Sequence, residues 1–177
     1  MELEDRRPEN KLKIGVSSCL LGEKVRYNGG HKLDPVITDT LGRLFTLVGV
    51  CPETGCGLPT PRDAMRLEGN PAEPNLMVIR TRQDLTVPMQ YFCRMEVIRL
   101  KGMALSGFIF KARSPSCGLC RVEVFNEGVS AATGRGLFAE AMVRQFPLMP
   151  MEEEETLHLT AVRESFIQRV LDYHDTD

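Results

Sequence analysis

Three short apolar runs, Leu12–Val16, Thr46–Val50 and Leu105–Phe110, each give way within a few residues to a cysteine: Cys19 in S-S-C, Cys51 in V-C-P-E and Cys117 in S-P-S-C-G. Runs of this length and composition read as buried strands. Between and after them lie helical patterns. One covers about Pro35–Phe45, with Thr38 or Asp39 as a cap and Leu41, Leu44 and Phe45 inward. Another covers Val87–Lys101, with Phe92, Val97, Ile98 and Leu100 among its apolar positions. Gly134–Phe146 (Leu137, Phe138, Ala141, Met142) and Thr156–His174 (Val162, Phe166, Ile167, Val170) complete the set. Strand alternating with helix predicts an α/β fold, a single domain with a mainly parallel sheet and flanking helices. Right-handed crossovers bring the carboxyl ends of parallel strands to one rim, where such sheets bind ligands. Cysteines far apart in the chain are therefore expected to meet there.

The remaining segments are less regular. Tyr27–Asp34 reads as a loop. Cys51–Pro74, with five prolines, reads as mostly irregular with a helical turn near Ala64–Leu67, and Leu76–Arg80 as a short edge strand. Loops as long as Cys51–Pro74 are usually functional. No stretch approaches the ~18 apolar residues of a membrane span, and Met1–Lys13 is polar and charged. The chain thus reads as cytoplasmic, where cysteines serve metal binding, catalysis or burial rather than disulfides. A chain of this length buries enough surface to fold without a metal, so a cofactor would serve chemistry. The net charge of −2 is uneven: residues 151–177 hold eight acidic groups against Arg163 and Arg169. The first 150 residues are only mildly basic, too mildly for a stand-alone nucleic-acid binder.

Three thiolates form a soft donor set suited to zinc or an iron-sulfur cluster. Three is the informative count, because closed zinc sites and electron-transfer clusters take four protein ligands, and three leave a metal position open for water or substrate. Two other readings use Cys56 and Cys120. Cys51-x4-Cys56 with Cys117-x2-Cys120 could form a four-thiolate zinc site, giving a zinc-stabilised binding module without catalysis, and Cys117 with Cys120 could form a redox dithiol. Cys93 falls inside a helix and reads as core. Glu53, two residues after Cys51, is a candidate general base or acid. Ser114 and Ser116 are candidate hydrogen-bond donors to substrate or to cluster sulfur. Arg26, Asn28, Arg62, Lys111 and Arg113 could orient a carbonyl-bearing or anionic ligand. The T-G-R-G-L stretch at 133–137 offers amides to an anion at a helix start.

The blocks S-S-C-L-L-G-E-K-V-R-Y-N-G-G, V-C-P-E with G-L-P-T-P-R, and K-A-R-S-P-S-C-G, in that order over residues 13 to about 146, resemble the thiouracil desulfidase family. The resemblance implies a 4Fe-4S cluster on Cys19, Cys51 and Cys117 with one iron not bound by protein, and Glu53 and Ser114 as catalytic residues. It implies non-redox hydrolysis of the thiocarbonyl of a thiolated pyrimidine to the oxo form plus hydrogen sulfide. The substrate would be 4-thiouridine in transfer RNA or a free thiouracil or thionucleotide. F-P-L-M-P-M-E-E-E-E-T-L followed by V-R-E-S-F-I-Q-R-V looks like the junction that, in longer relatives acting on transfer RNA, leads to a second helical domain. Residues 1–150 are accordingly expected to be the iron-sulfur desulfidase domain and 151–177 an acidic junction and C-terminal helix.

Overall fold

The computed structural model describes residues 11–175. The first strand, β1 (Lys13–Ser17), is followed by a π-helical stretch, Val36–Leu41, that continues into α1 (Gly42–Leu44). Then come β2 (Thr46–Val50), α2 (Pro52–Gly55), β3 (Met65–Glu68), β4 (Asn75–Val78) and α3 (Thr86–Lys101). The second half runs β5 (Leu105–Phe110), β6 (Val122–Asn126), β7 (Val129–Gly134), α4 (Leu137–Gln145), β8 (Met151–Glu153), α5 (Glu154–Leu157) and α6 (Thr160–Asp175). Among the described residues no helix is long and apolar enough to cross a membrane.

The main sheet has the order β2-β1-β5-β8, with every pair parallel. The α/β fold expected from the sequence is therefore present. Ser17 pairs with Val50 and Val16 with Ile109, so the three strands that precede the cysteines finish level with one another. The chain passes from β1 to β2 on one side and later returns to β5 on the other. That reversal opens a crevice at the carboxyl end of β1.

Both faces of this sheet are covered, which explains why β5 is buried at all six positions. Ile14, Val16 and Ile109 face one core with Leu41, Leu157, Phe166 and Val170. Phe108 and Phe110 face the other, where Phe138 meets both rings edge-on at centroid distances of 5.6 and 6.2 Å. The alternation follows from the period of two along a strand.

A second, mixed sheet of order β4-β3-β6-β7 packs into the Phe108 core through Leu67, Leu76, Val122 and Val124. It corrects the sequence reading in two places. Met65–Glu68 is a strand where a helical turn near Ala64–Leu67 is expected, because Leu67 pairs with Leu76 on one side and Val124 on the other. The β6–β7 hairpin, absent from that reading, turns on Glu127 and Gly128, both at positive φ. Ile98, expected inward on α3, is exposed. Met151–Glu153, read as the start of an acidic junction, forms β8 beside β5.

Candidate active site

Level strand ends deliver Ser17, Ser18 and Cys19 after β1, Cys51 and Glu53 after β2, and the loop from Lys111 to Cys117 after β5 to one cavity of about 530 Å³. Cys19, Cys51 and Cys117 all line it, with Val25, Arg26, Tyr27, Lys32, Arg62 and Ser114 around them. The three cysteines expected on the rim thus share one cavity wall. All six cysteines are free thiols. Cys56 and Cys120 do not line the cavity: the Cys56 thiol donates to Glu53 O at 3.2 Å, and Cys120 is exposed with its sulfur 3.5 Å from Glu153 Oε2. Cys93 is buried in α3, its thiol pushed up to about 12 by burial.

Pro52 begins α2 and Glu53 stands in its first turn, lining the cavity with Cys51. Both carboxylate oxygens are engaged. Ser116 Oγ donates to Oε1 at 2.9 Å, while Arg62 Nε and Nη2 donate to Oε2 at 2.8 and 2.5 Å. Arg62 is spread over five contacts, since Nη2 also reaches Val25 O, and Nη1 reaches Pro59 O and Thr60 Oγ1. A guanidinium has five N–H donors. Arg62 therefore has none left for a ligand and acts by fixing Glu53 and tying two loops together.

Ser114 Oγ accepts from Ser116 N at 3.2 Å and Cys117 N at 3.0 Å. With its lone pairs engaged by this turn, its own proton is what it can still give. The loop around it is seated on α4. Gly136 N, Leu137 N and Phe138 N donate to the carbonyls of Gly118, Pro115 and Ser116. These helix-start amides, offered to an anion in the sequence reading, are thus taken by the cysteine loop itself.

The remaining residues divide plainly. Arg26 and Lys32 line the mouth of the cavity with no acidic partner among the described residues, Arg26 resting on the Tyr27 ring. Arg113 lines it too and pairs with Glu155. Lys111 lines it, and its ammonium is held by Glu154 Oε1 at 2.5 Å and Ala112 O at 3.1 Å. Asn28 lies outside the lining and bonds Gly30 N within its own turn. Ser116 is fully buried behind Glu53. Sequence reasoning missed Ser17, whose hydroxyl accepts from Lys111 N and hydrogen-bonds the Cys117 sulfur. Its place two residues before Cys19 in S-S-C was the available signal.

The donor set suits a cluster. Burial pushes the Cys19 thiol up to about 11 and the Cys117 thiol well above its usual range, opposed by Lys111 in the first case and the Ser17 hydroxyl in the second. Soft sulfur in such surroundings becomes thiolate when a metal supplies the compensating charge. Among the described residues no trio of His, Cys, Asp or Glu converges tightly enough for a single ion.

Three comparisons bear on the site. A model of the 2-thiouracil desulfurase family matches residues 14–154. The chain is 29% identical over 147 residues to the uncharacterized protein YbbK of Bacillus subtilis (strain 168), covering 80% of this chain and 96% of YbbK. Among solved structures it is similar to the 4Fe-4S-dependent thiouracil desulfidase TudS, with a TM-score of 0.65 at 29% identity over 88% of this chain and 99% of that one. The family match spans all three cysteine-bearing strand ends and Glu53, and the chain belongs to the 2-thiouracil desulfurase family.

Proposed function

We propose that this protein is a non-redox desulfidase that hydrolyses the thiocarbonyl of a thiolated pyrimidine, with a 4Fe-4S cluster on Cys19, Cys51 and Cys117 and one iron free of protein ligands. The observation that carries this reading is the shared cavity: thiols from three strand ends and the Glu53 carboxylate line the same space. Its volume of about 530 Å³ lies in the range of small-molecule sites. When bound, the cluster supplies a Lewis-acidic iron toward the substrate's sulfur.

The chain's own residues supply the proton chemistry. Glu53, fixed by Arg62 and Ser116, takes a proton from the water that attacks the ring carbon. Ser114, an acceptor of two turn amides, donates toward the departing sulfur. Water adds at carbon, the carbon–sulfur bond breaks, and the products are the oxo-pyrimidine and hydrogen sulfide with no net electron transfer. Arg26 and Lys32 at the mouth face the polar or anionic part of the substrate. The four-thiolate zinc module finds no comparable support, since Cys56 and Cys120 lie outside the cavity.

Sulfide release from 2-thiouracil, 4-thiouridine monophosphate and thiolated transfer RNA, measured side by side with anaerobically reconstituted protein, tests the reading and ranks the substrates. Sulfide from at least one is the expected result. Zinc without iron after reconstitution, or an iron-loaded protein releasing sulfide from none of them, would overturn it.

A further inference from the structure

Four consecutive glutamates, Glu152–Glu155, close the main sheet. A run of like charge normally faces water. Here Glu153 and Glu154 are buried, at 5% and 6% exposure, and their bonds go to one loop. Glu153 Oε1 accepts from Leu119 N at 2.8 Å and Cys120 N at 3.2 Å. Glu154 Oε2 accepts from Ala112 N at 2.6 Å, and Oε1 from Lys111 Nζ at 2.5 Å.

The groups held are thus the first two and last two residues of the segment 111–120, and Ser114, Ser116 and Cys117 lie between them. The placement follows from the sheet. Phe110 of β5 pairs with Glu153 of β8, so the two carboxylates stand just beyond the point where β5 gives way to the loop. Their neighbours serve other elements: Glu152 bonds Arg169 of α6 and Thr156, and Glu155 bonds Arg113 at the surface. Lys111 is also the leading positive charge acting on the Cys19 thiol, with Glu154 acting in the opposite sense.

We propose that Glu153 and Glu154 are positioning residues of the active site: they fix both ends of the loop that carries Ser114 and Cys117, and Glu154 holds the ammonium of Lys111, which lines the same cavity as Cys19. The inference rests on the reading of Cys117 as a cluster ligand. Partners of this kind orient metal ligands without touching the metal. A role confined to stitching an edge strand to the sheet predicts something different, because Glu152 on the same strand would then matter as much.

The test compares wild type, Glu152→Gln, Glu153→Gln, Glu154→Gln and Cys117→Ala, each reconstituted anaerobically with iron and sulfide. Iron loss to excess chelator and the visible circular dichroism of the cluster are read, with thermal midpoints of the iron-free proteins as the measure of fold. Glu153→Gln and Glu154→Gln should lose iron about 10- to 100-fold faster than wild type and change the dichroism, the usual scale for second-layer partners. Glu152→Gln should keep the wild-type rate and spectrum. Glu153→Asp and Glu154→Asp, which keep the charge but withdraw it by one carbon, carry the same expectation should a glutamine variant fail to fold. Wild-type iron retention in the Glu153 and Glu154 variants, or equal acceleration in Glu152→Gln, would overturn the proposal. Full iron in Cys117→Ala would instead overturn the ligand reading beneath it.

Discussion

Oε1 of Glu53 is held by a buried serine and Oε2 by an arginine whose other donors are spent on loop carbonyls and Thr60. In the proposed reaction, orientation of this kind would hold the Glu53 carboxylate ready to take a proton from the attacking water. Glu53→Gln is nearly isosteric, cannot take a proton, and leaves the three thiols untouched. It should therefore keep iron content and visible spectrum while turnover falls by about 100-fold or more. Iron analysis and sulfide-release kinetics on the same sample check this, and near-normal turnover would move the proton chemistry to Ser114. Much at this scale was legible in the sequence. The place of Cys19, Cys51 and Cys117 on one cavity was legible because each follows an apolar run, and that of Glu53 and Ser114 because they stand close to two of them. Arg62 was legible as a site residue but not as a saturated clamp, since the four acceptors of its five contacts come from three separate stretches of chain. Glu153 and Glu154 were hidden because a run of glutamates looks solvated until the sheet places it.

The strands of the main sheet could be read directly because apolar residues fill them, and β5 in particular is buried along its whole length. Those of the second sheet could not. Met65–Glu68 has four residues, only Leu67 among them buried, and gains its partners from the distant segments 75–78 and 122–126. The Glu127-Gly128 pair was the one local signal for its hairpin. The cysteine loop depends equally on contact made at a distance, through the start of α4. A Cβ on Gly136 would lie 2.5 Å from the Ser116 carbonyl carbon and oxygen, and 2.7 Å from Cys117 N. Gly136→Ala must push the loop away from the helix, a form of overpacking that costs about 1–3 kcal/mol. Its thermal midpoint should fall by roughly 2–4 °C per kcal/mol for a chain of this size, and sulfide release should fall with it. An unchanged midpoint with full activity would show that the loop has slack the structure does not display.

The whole molecule joins these parts through one rim. A sheet covered on both faces leaves its strand ends as the place where polar and reactive groups collect, and the order β2-β1-β5-β8 puts the crevice beside β1. The C-terminal segment belongs to that arrangement in space: β8 completes the sheet, while Leu157, Phe166 and Val170 are fully buried in the core behind β1. Each such side chain contributes about 1.5–3 kcal/mol when buried, a large share of a typical net stability of about 5–15 kcal/mol. A chain ending at Pro150 should accordingly fail to fold cooperatively, which thermal unfolding followed by circular dichroism would report. A truncated chain that melts like the full one would instead support a domain boundary near residue 150. The central claim is that three thiols from three strand ends, and no others, hold the cluster. Iron content after anaerobic reconstitution of the six single Cys→Ala variants tests it most directly. Cys19→Ala, Cys51→Ala and Cys117→Ala should each lose the cluster, whereas Cys56→Ala, Cys93→Ala and Cys120→Ala should keep wild-type iron. Iron lost from Cys56→Ala or Cys120→Ala but retained in Cys19→Ala would contradict the account.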